Sequence, residues 1–237
     1  MQKVFKRYEK KYLITSGQAE ALQSFFLEHM TVGDFDTYWV QNLYFDTAHW
    51  DVIHKSMQQP YYKEKMRLRY YGALDMQSPA FLELKKKYAG IVYKRRLALS
   101  LDAIEQGLAQ ALHKDDSQIA RELHFHLESK QVVPKMFISC KRHAYKGKED
   151  AGLRVTLDSE IRYRVDDLDF GDPQNGKLVL EDGLQVMEIK THTSIPLWLS
   201  RYCSENGIFA SPFSKYATCY TDYCRQENTR KVVHAHV

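Results

Sequence analysis

The sequence predicts one β-rich α+β domain. Segments in which apolar and polar residues alternate outnumber segments with apolar residues at three- and four-residue spacing. Gly72, Pro79, Gly90, Gly147, Gly171, Gly176 and Gly183 stand between the alternating segments as turn residues. No repeat, low-complexity linker or shift in composition divides the 237 residues, although that length serves one large domain as well as two small ones. A chain of this size buries roughly 70% of its unfolded surface. The domain is expected over 1–224, with 225–237 (RQENTRKVVHAHV) a loose tail.

Strands are expected at 4–13, 40–46, 63–72, 79–88, 90–98, 135–145, 152–165, 177–181 and 184–191, with 166–176 (DDLDFGDPQNG) a polar loop. Helices are expected at 16–30, opened by Ser16, and at 102–113, opened by Asp102. Two more follow at 117–129 and at 196–206, where Pro196 occupies a first turn and Gly207 is a stop. A last short helix begins near Ser214. Triplets such as Leu22, Phe25, Phe26 and Ile104, Leu108, Leu112 give these segments one apolar face, so they read as helices covering a sheet.

Composition narrows the class. The chain is 44% apolar and 27% charged and has no apolar run near the ~18 residues that cross a bilayer. Its first fifteen residues lack the pattern of a secretory signal, so a soluble, cytoplasmic protein is expected. Cys140, Cys203, Cys219 and Cys224 form no CxxC pair and read as buried thiols. A formal charge of +4 implies no partner by itself, and nothing in the residues identifies a membrane-protein partner. His124 and His126 are two apart on a helix and do not face each other, and His234 and His236 fall in the tail. Neither GxxxxGK nor GxGxxG occurs, so any phosphate must be held by side chains.

The strands are unusual in their polar parity. Lys65, Arg67 and Arg69 oppose Met66, Leu68 and Tyr70; Glu83, Lys85 and Lys87 oppose Leu82 and Leu84; Lys94 and Arg96 share a face. Arg154, Thr156, Asp158, Glu160, Arg162 and Arg164 oppose Val155, Leu157, Ile161 and Tyr163, while Glu188 and Lys190 oppose Met187 and Ile189. One reading is a sheet with a wet face. The other is a closed barrel with its apolar parity outward under helices and its charged parity lining a tunnel. Like charges on neighbouring strands repel, which a multiply charged anion would relieve. Arginine forks and lysine point charges suit phosphates. Glu9, Glu83, Asp158 and Glu188 would then pair with the basic groups or ligate a hard divalent cation. Nucleic acid is not expected, since it calls for basic groups on an open face among stacking aromatics.

The ordered motifs RYEKKYL, NLYFDT, RLR, ELK, YKRR, CKRHAY, LRVTLD, MEIK and SKYA, from about Arg7 to Tyr220, resemble a VTC domain. This is the polyphosphate polymerase branch of the triphosphate tunnel metalloenzymes, the CYTH-like superfamily. The resemblance implies a closed antiparallel eight-stranded β-barrel wrapped by helices that binds ATP, diphosphate or polyphosphate with Mn2+ or Mg2+. It places Lys11, Arg67, Arg69, Lys85, Lys94, Arg142, Arg154 and Lys215 on phosphate-binding positions, and Arg67, Arg69, Arg142, Arg154 and Lys215 nearest the chemistry. Glu188 falls on the metal-binding carboxylate, and Glu9 is a second candidate. Ser214 and Tyr216 flank the lysine that closes one end of the tunnel. Parity alone adds Arg96 and Lys190. The tunnel phosphatases carry two glutamates and a lysine on alternate positions where this chain has Arg7, Glu9 and Lys11. That difference favours the polymerase-like branch over a triphosphatase, and a non-catalytic polyphosphate or nucleotide sensor stays open because binding residues outnumber recognisable catalytic ones.

Overall fold

The computed structural model describes residues 8–73, 75, 77–89, 91–181 and 183–234, the side chains at 34, 35 and 230–234 excepted. Arg7 and His236 lie outside the described residues. The order is β1 (Tyr8–Thr15), α1 (Ser16–His29), β2 (Met30–Asp46), α2 (Asp51–Met57), β3 (Tyr62–Tyr71), β4 (Ala80–Tyr88), β5 (Ile91–Leu99) and α3 (Leu101–Glu105). It continues α4 (Leu108–His113), α5 (Gln118–Lys130), β6 (Val133–Gly147), β7 (Arg154–Arg164), β8 (Lys177–Leu178), β9 (Leu184–Thr191), α6 (Leu197–Glu205) and α7 (Lys215–His234). The class is α+β, as the alternation and the covering helices predicted.

The sheet is ordered β1-β9-β7-β6-β2-β3-β4-β5, with β8 beside β7. The expected closed barrel is not formed: among the described residues no ladder joins β1 to β5. The outer edge of β1 is already occupied by the chain after α6, for Tyr12 bridges Ala210 and Ser211 N donates to Lys11 O at 2.8 Å. Backbone groups used in this way cannot complete a barrel.

The described chain forms two compact units: Met1–Val40 with Cys140–Ile161 and Leu180–Phe213, and Gln41–Ser139 with Arg162–Val179 and Ser214–Val237.

In the first unit β9 lies between β1 and β7, pairing antiparallel with each. Tyr12 and Ile14, Met187 and Ile189, and Val155 and Leu157 form one apolar face. It meets Ala19, Leu22 and Phe26 of α1 and Leu199 and Cys203 of α6. Each fully buried Leu or Phe there contributes about 1.5–3 kcal/mol relative to an exposed one. The start of α1 is set by Thr15 rather than the expected Ser16: Thr15 Oγ1 accepts from Gln18 N and Gln18 Oε1 accepts from Thr15 N, a reciprocal cap. Ser16 instead donates to Gly183 O. Gly207, at φ 64, follows α6 as expected of a stop.

In the second unit β4 lies between β3 and β5. Met66, Leu68, Tyr70, Leu82, Leu84 and Leu99 pack beneath Leu101, Leu112, Ala120 and Leu123 of the helices α3 to α5. The expected helix at 102–113 is two short helices, because Gly107 sits between them at φ 128. Helix α2 was not foreseen. Its first-turn amides are met by Asp46, whose carboxylate accepts from Val52 N and Ile53 N at 2.9 and 3.0 Å, and also from Thr47 N ahead of the helix at 2.8 Å. Helix α7, expected to be short and followed by a loose tail, runs 20 residues to His234. Arg225, Gln226, Glu227 and Lys231 are good helix formers and let it propagate.

Candidate functional site

The charged parity of β3, β4 and β5 stands in rungs. Arg67, Glu83 and Arg96 are direct partners across the three strands; Lys65, Lys85 and Lys94 form the next rung, and Lys63 faces Lys87 beyond it. Glu83 is 1% exposed and sits under four cations. Its Oε2 accepts from Arg67 Nε and NH2 at 2.9 and 2.8 Å, with Arg69 Nε at 3.9 Å. Its Oε1 lies 2.6 Å from Lys94 Nζ and 3.3 Å from Arg96 Nε. Burial alone would raise the Glu83 pKa, but Arg67, Arg69 and Lys94 outweigh it and hold the carboxyl at about 2. The glutamate therefore stays charged and orients its cations.

The arginines have neutral supports as well. Arg67 NH1 donates to Tyr44 Oη at 3.0 Å, and Arg69 Nε to Asn42 Oδ1 at 2.9 Å. Arg69 and Arg96 both donate to Tyr71 Oη, at 3.4 and 3.2 Å, and Arg96 covers the Phe81 ring at 3.7 Å. Burial works to raise the Tyr71 pKa, but the two guanidiniums pull it down.

The next rung sets three cations side by side. Two ammoniums held ~5 Å apart at an effective dielectric of ~20 repel by ~3 kcal/mol, and Lys65, Lys85 and Lys94 stand directly opposite one another. Lys65 Nζ reaches Ser214 Oγ at 3.2 Å. Burial, together with Arg67 and Arg69, outweighs Glu83 and draws the Lys94 pKa down. The row concentrates positive charge on one face of β3, β4 and β5.

Two expected residues of this unit, Ser214 and Tyr216, have structural partners. Ser214 accepts from Ala217 N at 3.4 Å and caps α7. Tyr216 is buried, stacks on Tyr44 with ring centroids 4.4 Å apart, and donates its hydroxyl to Asp46 Oδ2 at 2.8 Å. It braces the tyrosine beneath Arg67. Lys215 is the first residue of α7, beside these two. Arg164 leaves the expected charged row. Past Glu160, whose backbone is left-handed at φ 47, it turns to donate to the carbonyls of Asp167, Asp169 and Asn175 and covers the Phe137 ring at 3.6 Å.

The first unit holds a second cluster, on the face of β1, β9 and β7 opposite the apolar one. Glu9, Lys190 and Arg154 form one rung; Lys11, Glu188 and Thr156 form the next. Lys190 Nζ lies 2.6 Å from Glu188 Oε1, and Lys11 Nζ lies 3.4 Å from Glu9 Oε1 and donates to Phe213 O at 3.2 Å. Arg142 Nε and NH2 fork onto Asp158 at 2.6 and 2.7 Å. Burial opposes its charge, but Asp158 holds the guanidinium pKa well above its ordinary value, with Glu188 adding to the same side. Burial, with Arg142 nearby, overcomes Glu188 and draws the Lys190 pKa down. Arg154, exposed at the start of β7, makes no ion pair within the described residues. Thr156 Oγ1 is buried without a hydrogen-bond partner.

The expected residues Arg67, Arg69, Lys85, Lys94 and Arg96 thus stand in one unit, and Glu9, Lys11, Arg142, Arg154, Glu188 and Lys190 in the other, Arg142 having come from the motif resemblance and not from parity. Sequence parity missed Asn42, Tyr44 and Tyr71 as supports. Asn42 and Tyr44 fall in the NLYFDT motif, whose alternate polar residues were a signal that they share a face. His126 is buried beside Glu64 and His143 bonds to Thr37, so both are used structurally. None of the four cysteines is in a disulfide, and Cys140, Cys203 and Cys219 are buried as expected.

A sequence model of the VTC domain matches residues 6–223. The chain belongs to the VTC domain family. No curated protein matches this VTC domain. Among solved structures, a candidate adenylate cyclase from Bacillus halodurans is 15% identical with a TM-score of 0.52, over 87% of this chain and 92% of that one. Another from Vibrio parahaemolyticus is 13% identical with a TM-score of 0.49, over 92% of this chain and 98% of that one. The Bacillus likeness is one of fold. No helix among the described residues is long and apolar enough to cross a membrane.

For this VTC domain a resident divalent cation is a question of ligands. Among the described residues no three His, Cys, Asp or Glu side chains gather as a cage. Glu9 and Glu188 nevertheless stand diagonally across two adjacent strands, and the orphaned Thr156 hydroxyl is the cross-strand partner of Glu188. Two carboxylates and a hydroxyl fit a Mg2+ or Mn2+ that takes its remaining ligands from phosphate and water, and do not fit a cation held by protein alone.

Proposed function

We propose that this VTC domain binds the phosphates of ATP and polyphosphate and transfers a phosphoryl group from ATP to phosphate, diphosphate or a polyphosphate end. The observation that carries the reading is the rung Lys65, Lys85, Lys94, three cations directly opposed on neighbouring strands and next to the rung of Arg67, Glu83 and Arg96. Stability alone gives no reason to oppose three lysines, whereas bound phosphate turns their repulsion into attraction.

Phosphoryl transfer depends mainly on positioning and on neutralising the transferred oxygens. Arg67, Arg69 and Arg96, held by Glu83 and the tyrosines, present guanidiniums whose direction is set before a ligand arrives. Lys85 and Lys94 supply point charges. Lys11, Arg142, Arg154 and Lys190 are the phosphate ligands proposed for the other unit, and Lys215 for the start of α7. Glu188, Glu9 and Thr156 would hold the divalent cation, which supplies charge neutralisation on phosphate oxygens. An acceptor phosphate oxygen bonds to the γ-phosphorus as the bond to the β–γ bridging oxygen breaks, and ADP leaves. No protein nucleophile is required.

With water as acceptor the same residues would give a triphosphatase, and with no turnover a sensor. Incubation of the purified protein with ATP and Mn2+, following polyphosphate length and free phosphate together, separates the three. Chain growth is expected. Phosphate release alone, or binding without turnover, would replace the polymerase reading.

A further inference from the structure

The cationic rungs of the second unit end in a cleft whose aromatic ring phosphate binding does not use. Lys63 and Lys87 face each other where β3 begins and β4 ends. With Gln59, Pro60, Tyr61 and Ala89 they line a cleft of about 430 Å3. Tyr61 is 69% exposed, and Tyr88 stands edge-on to it with ring centroids 4.9 Å apart at 81°. Ala89 N donates to Tyr61 O at 3.2 Å, so the backbone carrying the ring is tied to the β4–β5 turn. Gln59 and Ala89, on either side, both adopt left-handed backbone, at φ 52 and 48, a conformation that non-glycine residues keep where surrounding contacts impose it.

Singly exposed aromatics are ordinary on protein surfaces. Tyr61 differs in position: its ring is braced by a second tyrosine and opens beside two opposed lysines. Those lysines lie one rung, ~7 Å, from Lys65, Lys85 and Lys94. A braced aromatic face accepts a planar base, the lysines accept phosphate, and the Gln59 amide offers a donor and an acceptor to a base edge. A plain polyphosphate chain would use the lysines and leave the tyrosine idle.

We infer that this cleft takes the base of a nucleoside triphosphate on Tyr61, with its phosphates running past Lys63 and Lys87 towards Lys65, Lys85 and Lys94. The inference rests on the phosphate-binding reading above and adds what distinguishes nucleotide donor from inorganic polymer. The tyrosine engages the donor and its nucleoside diphosphate product, and the polymer passes without it.

Titration of the full chain with ATP and, separately, with inorganic tripolyphosphate tests this, using wild type, Tyr61→Ala and Tyr61→Phe. Tyr61→Ala should weaken ATP on the order of tenfold and leave tripolyphosphate unchanged; Tyr61→Phe, which keeps the ring, should bind both as wild type does. Loss of both ligands alike in Tyr61→Ala, or loss of neither, would overturn the cleft while leaving phosphate binding intact. A wild-type protein that binds neither ligand would overturn the phosphate-binding reading and this inference with it.

Discussion

Arg67 forks onto Glu83, its Nε and NH2 both reaching Oε2, at 2.9 and 2.8 Å, from the directly opposed position on the neighbouring strand. The glutamate is the only acidic residue of its rung, and Lys94, Arg96 and Arg69 converge on it too. Glu83→Gln should therefore destabilise the fold by about 3–5 kcal/mol, because a buried pair broken on one side leaves charge uncompensated. Urea unfolding would report it, and tripolyphosphate should restore more stability to the variant than to wild type. A midpoint equal to wild type would remove Glu83 from its organising place.

The same carboxylate sets an acid limit. Its folded pKa, about 2, lies below its ordinary value, so its contribution is present above the ordinary carboxylate range and is lost as pH falls towards 2. Acid unfolding followed by circular dichroism should show stability falling between about pH 4.5 and 2, with a shallower slope in Glu83→Gln. Equal slopes would contradict the assignment.

Lysines offer a second titration. Lys94 and Lys190 have pKa values drawn down by burial and neighbouring guanidiniums. A bound anion raises such a pKa, so tripolyphosphate binding should take up protons on the alkaline side and weaken as pH rises through the lowered values. Calorimetry in two buffers of different ionisation heat measures the uptake. Binding heats independent of the buffer would count against these lysines as ligands.

Arg154 is exposed and unpaired within the described residues, unlike Arg67. Arg154→Ala should leave thermal stability unchanged while weakening polyphosphate by about 1.5–3 kcal/mol, the range for a charge-assisted pair. Arg67→Ala should lose both affinity and stability. Unaltered polyphosphate affinity in both variants would sink the phosphate-binding reading.

Thr156 carries the orphan hydroxyl beside Glu188. Thr156→Val removes a buried polar group without a partner and should be neutral or slightly stabilising. If the hydroxyl serves the cation, the variant should need more Mn2+ to reach half-maximal turnover. An unchanged Mn2+ dependence would take Thr156 out of the ligand set.

The two-residue alternation in KMRLRYY, FLELKKK and MEIKT was enough to place β3, β4 and β9 and to say which residues share a face. A strand has no other way to present Leu68 and Arg67 than on opposite sides. Helices α1, α5 and α6 were equally legible from their apolar spacing and stops. The first ten residues of β2 were not, because TVGDFDTYW carries little apolar alternation and a glycine. Nor was α2, whose start depends on Asp46 meeting amides six and seven residues further on.

What the sequence determined alone was therefore the period of each strand, the charged face it presents and the family to which those ordered motifs belong. Tertiary structure decided the partners. Register put Glu83 under four cations and left Lys65, Lys85 and Lys94 opposed, and it set Thr156 against Glu188. It also gave the free edge of β1 to Ala210 and Ser211, leaving the described sheet open where a closed barrel was expected. Alternation is a local steric property of one strand, whereas which charge faces which, and which edge is covered, depends on residues far apart in the chain.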